Sequence, residues 1–403
     1  MTENRGTIET LGVILLALAF VLILFWVQLE LLKSRSPLAI PSLQLIETAD
    51  NAQLSRPIIE GAKDKLSYAP NSPAALNLLF VKLYKSGASD PEKSKTASLL
   101  LELGWRYTPA IQNLLVQAIE ERNFESIVTL MDALLRQDKA TDQAIALLVL
   151  FENEPKFREF LVQRLKDNPR WAHSFWTSPL LLKPNHPLNG RSETIKTLLN
   201  SGGTISREHI APSLLVLAKA GKTEQAWDLY KLFCASSDDL CGESRNEGLL
   251  DDSEFKLLAE SSSNKDYRAL PFEWTAYSKV GLDVRATKLT DHAELSIRWN
   301  GRGVPTILSQ YAAIRKNLRY QLRVSGFNPS VRLDKVFQFV LRCDSKVLRF
   351  VPIASRITER SRLYETEEAL PCDFPIFELR GRVQDFPKTL DVDIKRMELL
   401  SRQ

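Results

Sequence analysis

The chain has 403 residues, of which 44% are hydrophobic and 25% charged, long enough for two or three domains of ordinary globular composition. Its 53 Lys/Arg against 49 Asp/Glu leave a net charge of +4, which excludes nucleic acid as the partner of the whole chain. That charge is uneven: residues 275–403 hold 23 basic against 15 acidic side chains, the remainder 30 against 34, and residues 301–350 hold 10 against 2. The local excess points to an acidic partner such as lipid headgroups or an anionic polymer, with a solvated basic face as the plainer alternative.

The first element is an apolar run over residues 11–32, "LGVILLALAFVLILFWVQLELL", in which only Gln28 interrupts the stretch to Leu29. Roughly 20 such residues cross a bilayer core as a helix. Trp26 sits near one end, where an amphipathic ring suits the interface, and Lys33 and Arg35 follow as a polar stop. The run exceeds a cleavable signal's apolar core, and no small-residue cleavage site follows it. Residues 1–36 are therefore expected to be an uncleaved signal anchor, and 37–59 a linker. Arg5 with the terminal amine balances Lys33 with Arg35, so charge does not set the orientation. A short tail and a large C-terminal bulk fit an outward-facing C-terminus.

Residues 60–262 are expected to be helical. Ser72 with Pro73, Asp90 with Pro91 and Thr108 with Pro109 pair a capping residue with proline at a first helical position, and Gly87 and Gly104 act as stops. Further helices are expected in "FESIVTLMDALLRQD", "TDQAIALLVLFENE", "PKFREFLVQRLKDNP" and, around a turn at Gly221, "REHIAPSLLVLAKAGKTEQAWDLYKLF". Pairs begin near residues 72, 108, 141 and 207, spacings close to the roughly 34 residues of a tetratricopeptide unit or twice it. Ala220, Gly221, Ala226 and Tyr230 resemble that repeat's small–small–aromatic spacing. The stretch "WAHSFWTSPLLLKPNHPLNGRSETIKTLLNSGG" is expected to be irregular. A degenerate α-solenoid of this kind, as against a plain helical bundle, presents a concave surface that holds protein partners.

Residues 263–403 are expected to form a β domain. "AELSIRWNG", "NLRYQLRVSGF", "KVFQFVLRCDSKVLRFVPI", "CDFPIFELRGRVQ" and "DVDIKRMELLS" alternate like short strands of a sandwich or jelly roll, with a turn at Asp344-Ser345. The element order, the Phe272-x-Trp274 opening in "PFEWTAY" and the two strand cysteines resemble the C-terminal jelly roll, similar to carbohydrate-binding modules, of bacterial membrane-anchored TPR-like proteins. Pro375 departs from the uninterrupted strand expected there. The resemblance carries no reaction. It implies the multidomain α+β layout of transmembrane helix, TPR-like α-solenoid and antiparallel β-sandwich, and a glycan as ligand.

Glycan sites on sandwiches use exposed aromatics, and the candidates are Trp274, Tyr277 and Tyr311. Trp299 and Tyr320 alternate in line with Leu and Ile and are expected in the core. Arg315, Lys316, Arg319 and Arg323 form the expected basic patch. The four cysteines fall into two local pairs, Cys234 with Cys241 and Cys343 with Cys372. That is a disulfide pattern if the compartment is oxidising, and a set of free thiols if it is not. "CASSDDLC" has neither zinc-knuckle nor C-x-x-C redox spacing. His173, His186, His209 and His292 form no metal motif in sequence, and no P-loop, dinucleotide fingerprint or nucleophile elbow is present. No catalytic residue, metal or cofactor is expected. The first reading is a non-enzymatic, single-pass bacterial inner-membrane protein with its bulk in the periplasm. It would bind protein partners through its helices and a glycan or anionic polymer through its β domain, in surface polysaccharide assembly or export. A glycan-acting enzyme with a cleft between the two parts is the second, and a cytosol-facing membrane scaffold the third.

Overall fold

The computed structural model describes residues 55–402, apart from 86–89, 105, 140, 183–187, 237–240, 242–248, 251, 264–266, 291, 329, 354–360 and 385–388. The expected anchor at residues 1–36, and the linker up to residue 54, lie outside the described residues. Among the described residues, no helix is long and apolar enough to cross a membrane. The chain is α+β, with helices as far as Ser263 and then an antiparallel β region. It divides into two compact units, the first ending at Ala144 and the second running from Ile145.

The first unit holds α1 (Ser55–Tyr68), α2 (Pro73–Lys85), α3 (Asp90–Gly104), α4 (Thr108–Glu120) and α5 (Phe124–Arg136), and α6 (Thr141–Phe151) spans the division. Each packs on its sequence neighbour across a short turn: α1 on α2, α2 on α3, α4 on α5. Burial follows the helical period. Ala110, Ile111, Leu114, Leu115 and Ala118 line one face of α4, and Ile127, Val128, Leu130, Met131, Leu134 and Leu135 the facing side of α5. Asn123 caps α5 by accepting from the Ser126 amide at 3.1 Å. Asn113 on α4 donates to Asn77 on α2 at 2.9 Å.

In the second unit follow α7 (Pro155–Lys166), α8 (Ala172–Trp176), a 3-10 turn (Pro179–Leu182), α9 (Leu188–Asn200), α10 (Arg207–Lys219), α11 (Thr223–Ser236) and α12 (Lys256–Ser263). The stretch expected to be irregular thus contains a full helix, α9. Its inward face carries Arg191, Ser192 and Thr194 beside Ile195 and Leu198, all buried. That polar content breaks the apolar period by which a helix is read from sequence. Arg191 is held there by a 3.1 Å ion pair to Glu152 and lies 3.9 Å over the Phe175 ring. Burial lowers the affinity of its guanidinium for a proton, and Glu152 opposes that effect.

The strands are β1 (Thr275–Ala276), β2 (Leu282–Lys288), β3 (Ala293–Trp299), β4 (Thr306–Tyr311), β5 (Tyr320–Ser325), β6 (Phe337–Cys343), β7 (Lys346–Pro352), β8 (Ser361–Thr366), β9 (Ile376–Gly381), β10 (Leu390–Ile394) and β11 (Arg396–Ser401), with a short α13 (Leu333–Val336) before β6. They form an eight-stranded sheet, β1-β4-β9-β6-β7-β8-β5-β11, and a three-stranded sheet, β10-β3-β2. All pairings are antiparallel. The two sheets share one core in sandwich-like fashion: Phe339, Leu341, Phe377 and Leu379 of the larger pack in it with Val284, Leu295, Ile297 and Val392 of the smaller. Trp299 and Tyr320 are buried in that core, as their alternation with Leu and Ile predicts. Pro375 lies just before β9, so the strand begins after it rather than running through it. The β6–β7 hairpin turns at Asp344, in the left-handed region with φ 45.

Candidate functional site

"PFEW" is the hinge on which the site is placed. Phe272 packs against Trp227 and Tyr230 of α11, with ring centroids 4.9 and 5.4 Å away. Glu273 is 1% exposed. It accepts from Arg207 Nη1 at 2.6 Å on each oxygen, from the Tyr267 hydroxyl at 3.0 Å and from the Leu270 amide at 2.9 Å. Burial pulls the proton affinity of Arg207 down, but the charge and hydrogen bond of Glu273, with Tyr267 and Tyr230, together outweigh it and the net shift is upward. Burial and the same carboxylate drive the Tyr267 hydroxyl well above the ordinary phenol range. Trp274, expected as a glycan contact, is 2% exposed. Its indole N–H donates to the Asp252 carbonyl at 2.8 Å, and its ring meets Phe255 and Phe377. That expectation is corrected: Trp274 is a core residue, inaccessible to a ligand. With Trp274 pinned inward, alternation sends Thr275 and Tyr277 to the outer face.

The other two aromatic candidates lie on that outer face. On β9, Phe377 and Leu379 point into the core, so Glu378 and Arg380 take the opposite side. Register carries the face across the sheet. Glu378 lies beside Ser309 of β4 and Val340 of β6, Arg342 beside Ile376, and Arg349 of β7 beside Val340. Tyr311 pairs with Ile376, and the hydroxyls of Tyr277 and Ser309 hydrogen-bond at 2.9 Å. The last position of β9 is glycine, Gly381, where the Trp299 ring leaves no room for a side chain, an added Cβ falling 2.8 Å from it.

Glu378 occupies the middle of this face. It accepts from Arg342 Nε at 2.8 Å and from Arg380 Nε at 2.6 Å, and the Arg380 Nη2 pairs with it as well. The carboxylate side chain is only 6% exposed, those of Arg342 and Arg380 37% and 24%. Val340 is fully buried although it points outward, so long side chains cover it. Tyr277 is 42% exposed and Tyr311 half-buried. Burial raises the Tyr311 hydroxyl's pKa, with Arg342 opposing and Asp344 adding to the shift. A polar sheet face with an exposed Tyr277, a half-buried Tyr311 whose ring lies 6.0 Å from that of Phe272, and a guanidinium–carboxylate–guanidinium cluster offers stacking surface and directed hydrogen bonds together.

The expected basic patch does not assemble on that face. Arg315 pairs with Glu224 at 3.0 Å and Lys316 with Asp373 at 3.8 Å, both from the loop after β4. Arg319 is exposed in the same loop, while Arg323 on β5 pairs with Glu398 at 3.4 Å. Both cysteine pairs are disulfides, Cys234–Cys241 and Cys343–Cys372. The second links the end of β6 to the segment leading into β9, the two strands that carry Arg342 and Glu378.

Two further groupings arise only in three dimensions. His173 Nδ1 and His209 Nε2 lie 3.1 Å apart, with Glu208 at 3.8 Å from His173. Burial, then the neighbouring imidazole, lowers the pKa of His209. A shallow cavity of about 270 Å³ is lined by Glu254, His292, Ser325, Gly326, Lys395 and Arg396. Among the described residues, no group of three or more His, Cys, Asp or Glu side chains is placed to hold a metal ion. No family model matches the chain, and no curated protein matches it at a significant level.

Proposed function

We propose that this protein is a membrane-anchored, non-catalytic scaffold of the bacterial envelope whose β domain binds a glycan on the outer face of the eight-stranded sheet. The observation that carries the reading is the juxtaposition of Tyr277 and Tyr311 with the Arg342–Glu378–Arg380 cluster on one solvent-facing surface. Aromatic rings take the apolar faces of sugars, and fixed charged donors and acceptors take their hydroxyls. Both Glu378 oxygens are engaged by guanidinium, which makes it a hydrogen-bonding anchor and not a free acid or base.

The apolar run at residues 11–32 is the anchor, and the two disulfides favour an oxidising compartment for the bulk of the chain. The helices form hairpins of the tetratricopeptide kind that dock protein partners. The recurring hairpin packing and the offset of 36 between the bonded Asn77 and Asn113 support that assignment. The strands form a jelly roll. The full-length protein in detergent, applied to a glycan array, is expected to bind a defined subset of glycans. Tyr277→Ala and Tyr311→Ala are each expected to weaken that binding about tenfold, the ~1.4 kcal/mol of one lost stacking contact, with the melting temperature of Tyr277→Ala unchanged. Absence of any glycan signal, or full binding by both variants, would sink the reading.

A further inference from the structure

We infer that His173 and His209 form an open surface site for a divalent transition-metal ion of the zinc, nickel or copper kind, which ties α8 to α10. The inference stands apart from the glycan reading. The two rings come from different helices and lie 36 positions apart, so no local motif announces them. α8 packs on α10. Ala172, Phe175 and Trp176 of the first and Arg207 and Ile210 of the second are buried. Those contacts hold both backbones in place. The His173 side chain meanwhile stays 56% exposed and so open to an ion from solvent.

His173 Nδ1 faces His209 Nε2 at 3.1 Å, with the ring centroids 5.2 Å apart. Two imidazoles on one tetrahedral zinc ion, each nitrogen about 2.0–2.1 Å from it, hold those nitrogens roughly 3.3–3.4 Å apart. The pair therefore needs to open by only about 0.3 Å to admit an ion at that bond length. Without metal, one ring donates an N–H to the lone pair of the other. Metal takes both lone pairs, so the shared proton leaves this edge and one is taken up at the far nitrogen of the same ring, with no net change in charge. The lowered pKa of His209 favours the neutral ring that ligation requires. Glu208, 3.8 Å from His173 Nδ1, adds a negative charge beside the site. Two imidazoles do not close a coordination shell, and no third His, Cys, Asp or Glu among the described residues is placed to do so. The remaining positions fall to water or to an outside ligand, which makes the ion exchangeable. Imidazole selects zinc, nickel and copper over magnesium and calcium, which prefer oxygen.

The test is calorimetric titration of the untagged, chelator-treated full-length protein in detergent with zinc ions. Saturable binding in the micromolar range is expected. His173→Ala and His209→Gln are each expected to weaken it at least tenfold and Glu208→Gln severalfold, while His292→Ala leaves it unchanged. Zinc is expected to raise the melting temperature of the parent but not of His173→Ala, the two melting together without metal. Copper(II) bound in place of zinc is expected to show two imidazole nitrogens by paramagnetic resonance in the parent and one in either histidine variant. No saturable zinc binding up to millimolar concentration, or binding that both histidine variants keep in full, would overturn the inference and leave the glycan reading untouched.

Discussion

Glu273, itself buried, accepts hydrogen bonds from Arg207, Tyr267 and the Leu270 amide. A buried ion pair is weak evidence for stability in itself, but removing one partner leaves the other charge uncompensated at about 3–5 kcal/mol. Glu273→Gln is accordingly expected to lower the unfolding free energy by about 3 kcal/mol in urea titration, and Arg207→Met in that background to recover part of it. If the single variant is as stable as the parent, the pair does not hold the helices to the strands. Sequence marked Phe272 and Trp274 on either side of Glu273 and passed over Glu273 itself. Its ion-pair partner lies 66 positions away, and no local pattern connects them. Residue type alone makes Trp274 a surface candidate; its burial against Phe255 and Phe377 shows that its ring fills the core.

At the scale of elements, four of the helices end alike, yet only some of those ends are visible in sequence. Asn123 donates its amide to the Ala118 carbonyl, Lys139 to Leu134, Gly203 to Leu198 and Lys222 to Leu217, at 2.9, 3.1, 2.9 and 2.9 Å. Each is the closing bond of a Schellman turn, which needs the preceding residue in the left-handed region. Those residues are Arg122 (φ 53), Asp138 (φ 53), Gly202 (φ 76) and Gly221 (φ 76). The Gly221 turn was legible because glycine is the usual residue there; Arg122 and Asp138 adopt the same geometry against their preference. An added Cβ at Gly221 meets nothing within 4 Å, so the cost of one is conformational alone. Gly221→Ala is expected to destabilise by about 1 kcal/mol, and Arg122→Gly to be neutral or mildly stabilising, in the same urea titration. Equal losses in both would show that the left-handed turn is not the source of the cost. Among the strands, β3 and β5 were readable from strict alternation because one face of each is buried and the other solvated.

For the whole molecule, the compartment decides which functions are open, and four cysteines carry the argument. All four are paired, and among the described residues no cysteine is free. If the bulk of the chain lies outside the cytosol, a membrane-impermeant thiol reagent on spheroplasts is expected to label it only after reduction. Labelling that also requires lysis would place it inside and remove the envelope reading. The β domain is not a separate bead after the helices. The second compact unit begins at Ile145, within α6, and joins α7 to α12 with both sheets through α12 packed on β2, Arg315 with Glu224, and the Glu273 clamp. The expected helical and β parts, 60–262 and 263–403, follow the change of hydrophobic period, which reports secondary structure and not which elements share a core.

By itself, the sequence determined what local burial writes into it: the apolar run at the N-terminus, helices where every third or fourth residue is apolar, and strands where alternate residues are. Those signals are local because a helix or strand buries one face whatever its neighbours are. Tertiary structure alone decided that β9 lies between β4 and β6, and hence that Glu378 meets Arg342 from 36 residues away on the face that holds Tyr277 and Tyr311. Strand order and register are settled by the closure of one shared core, a sum over the whole chain that no segment of it carries.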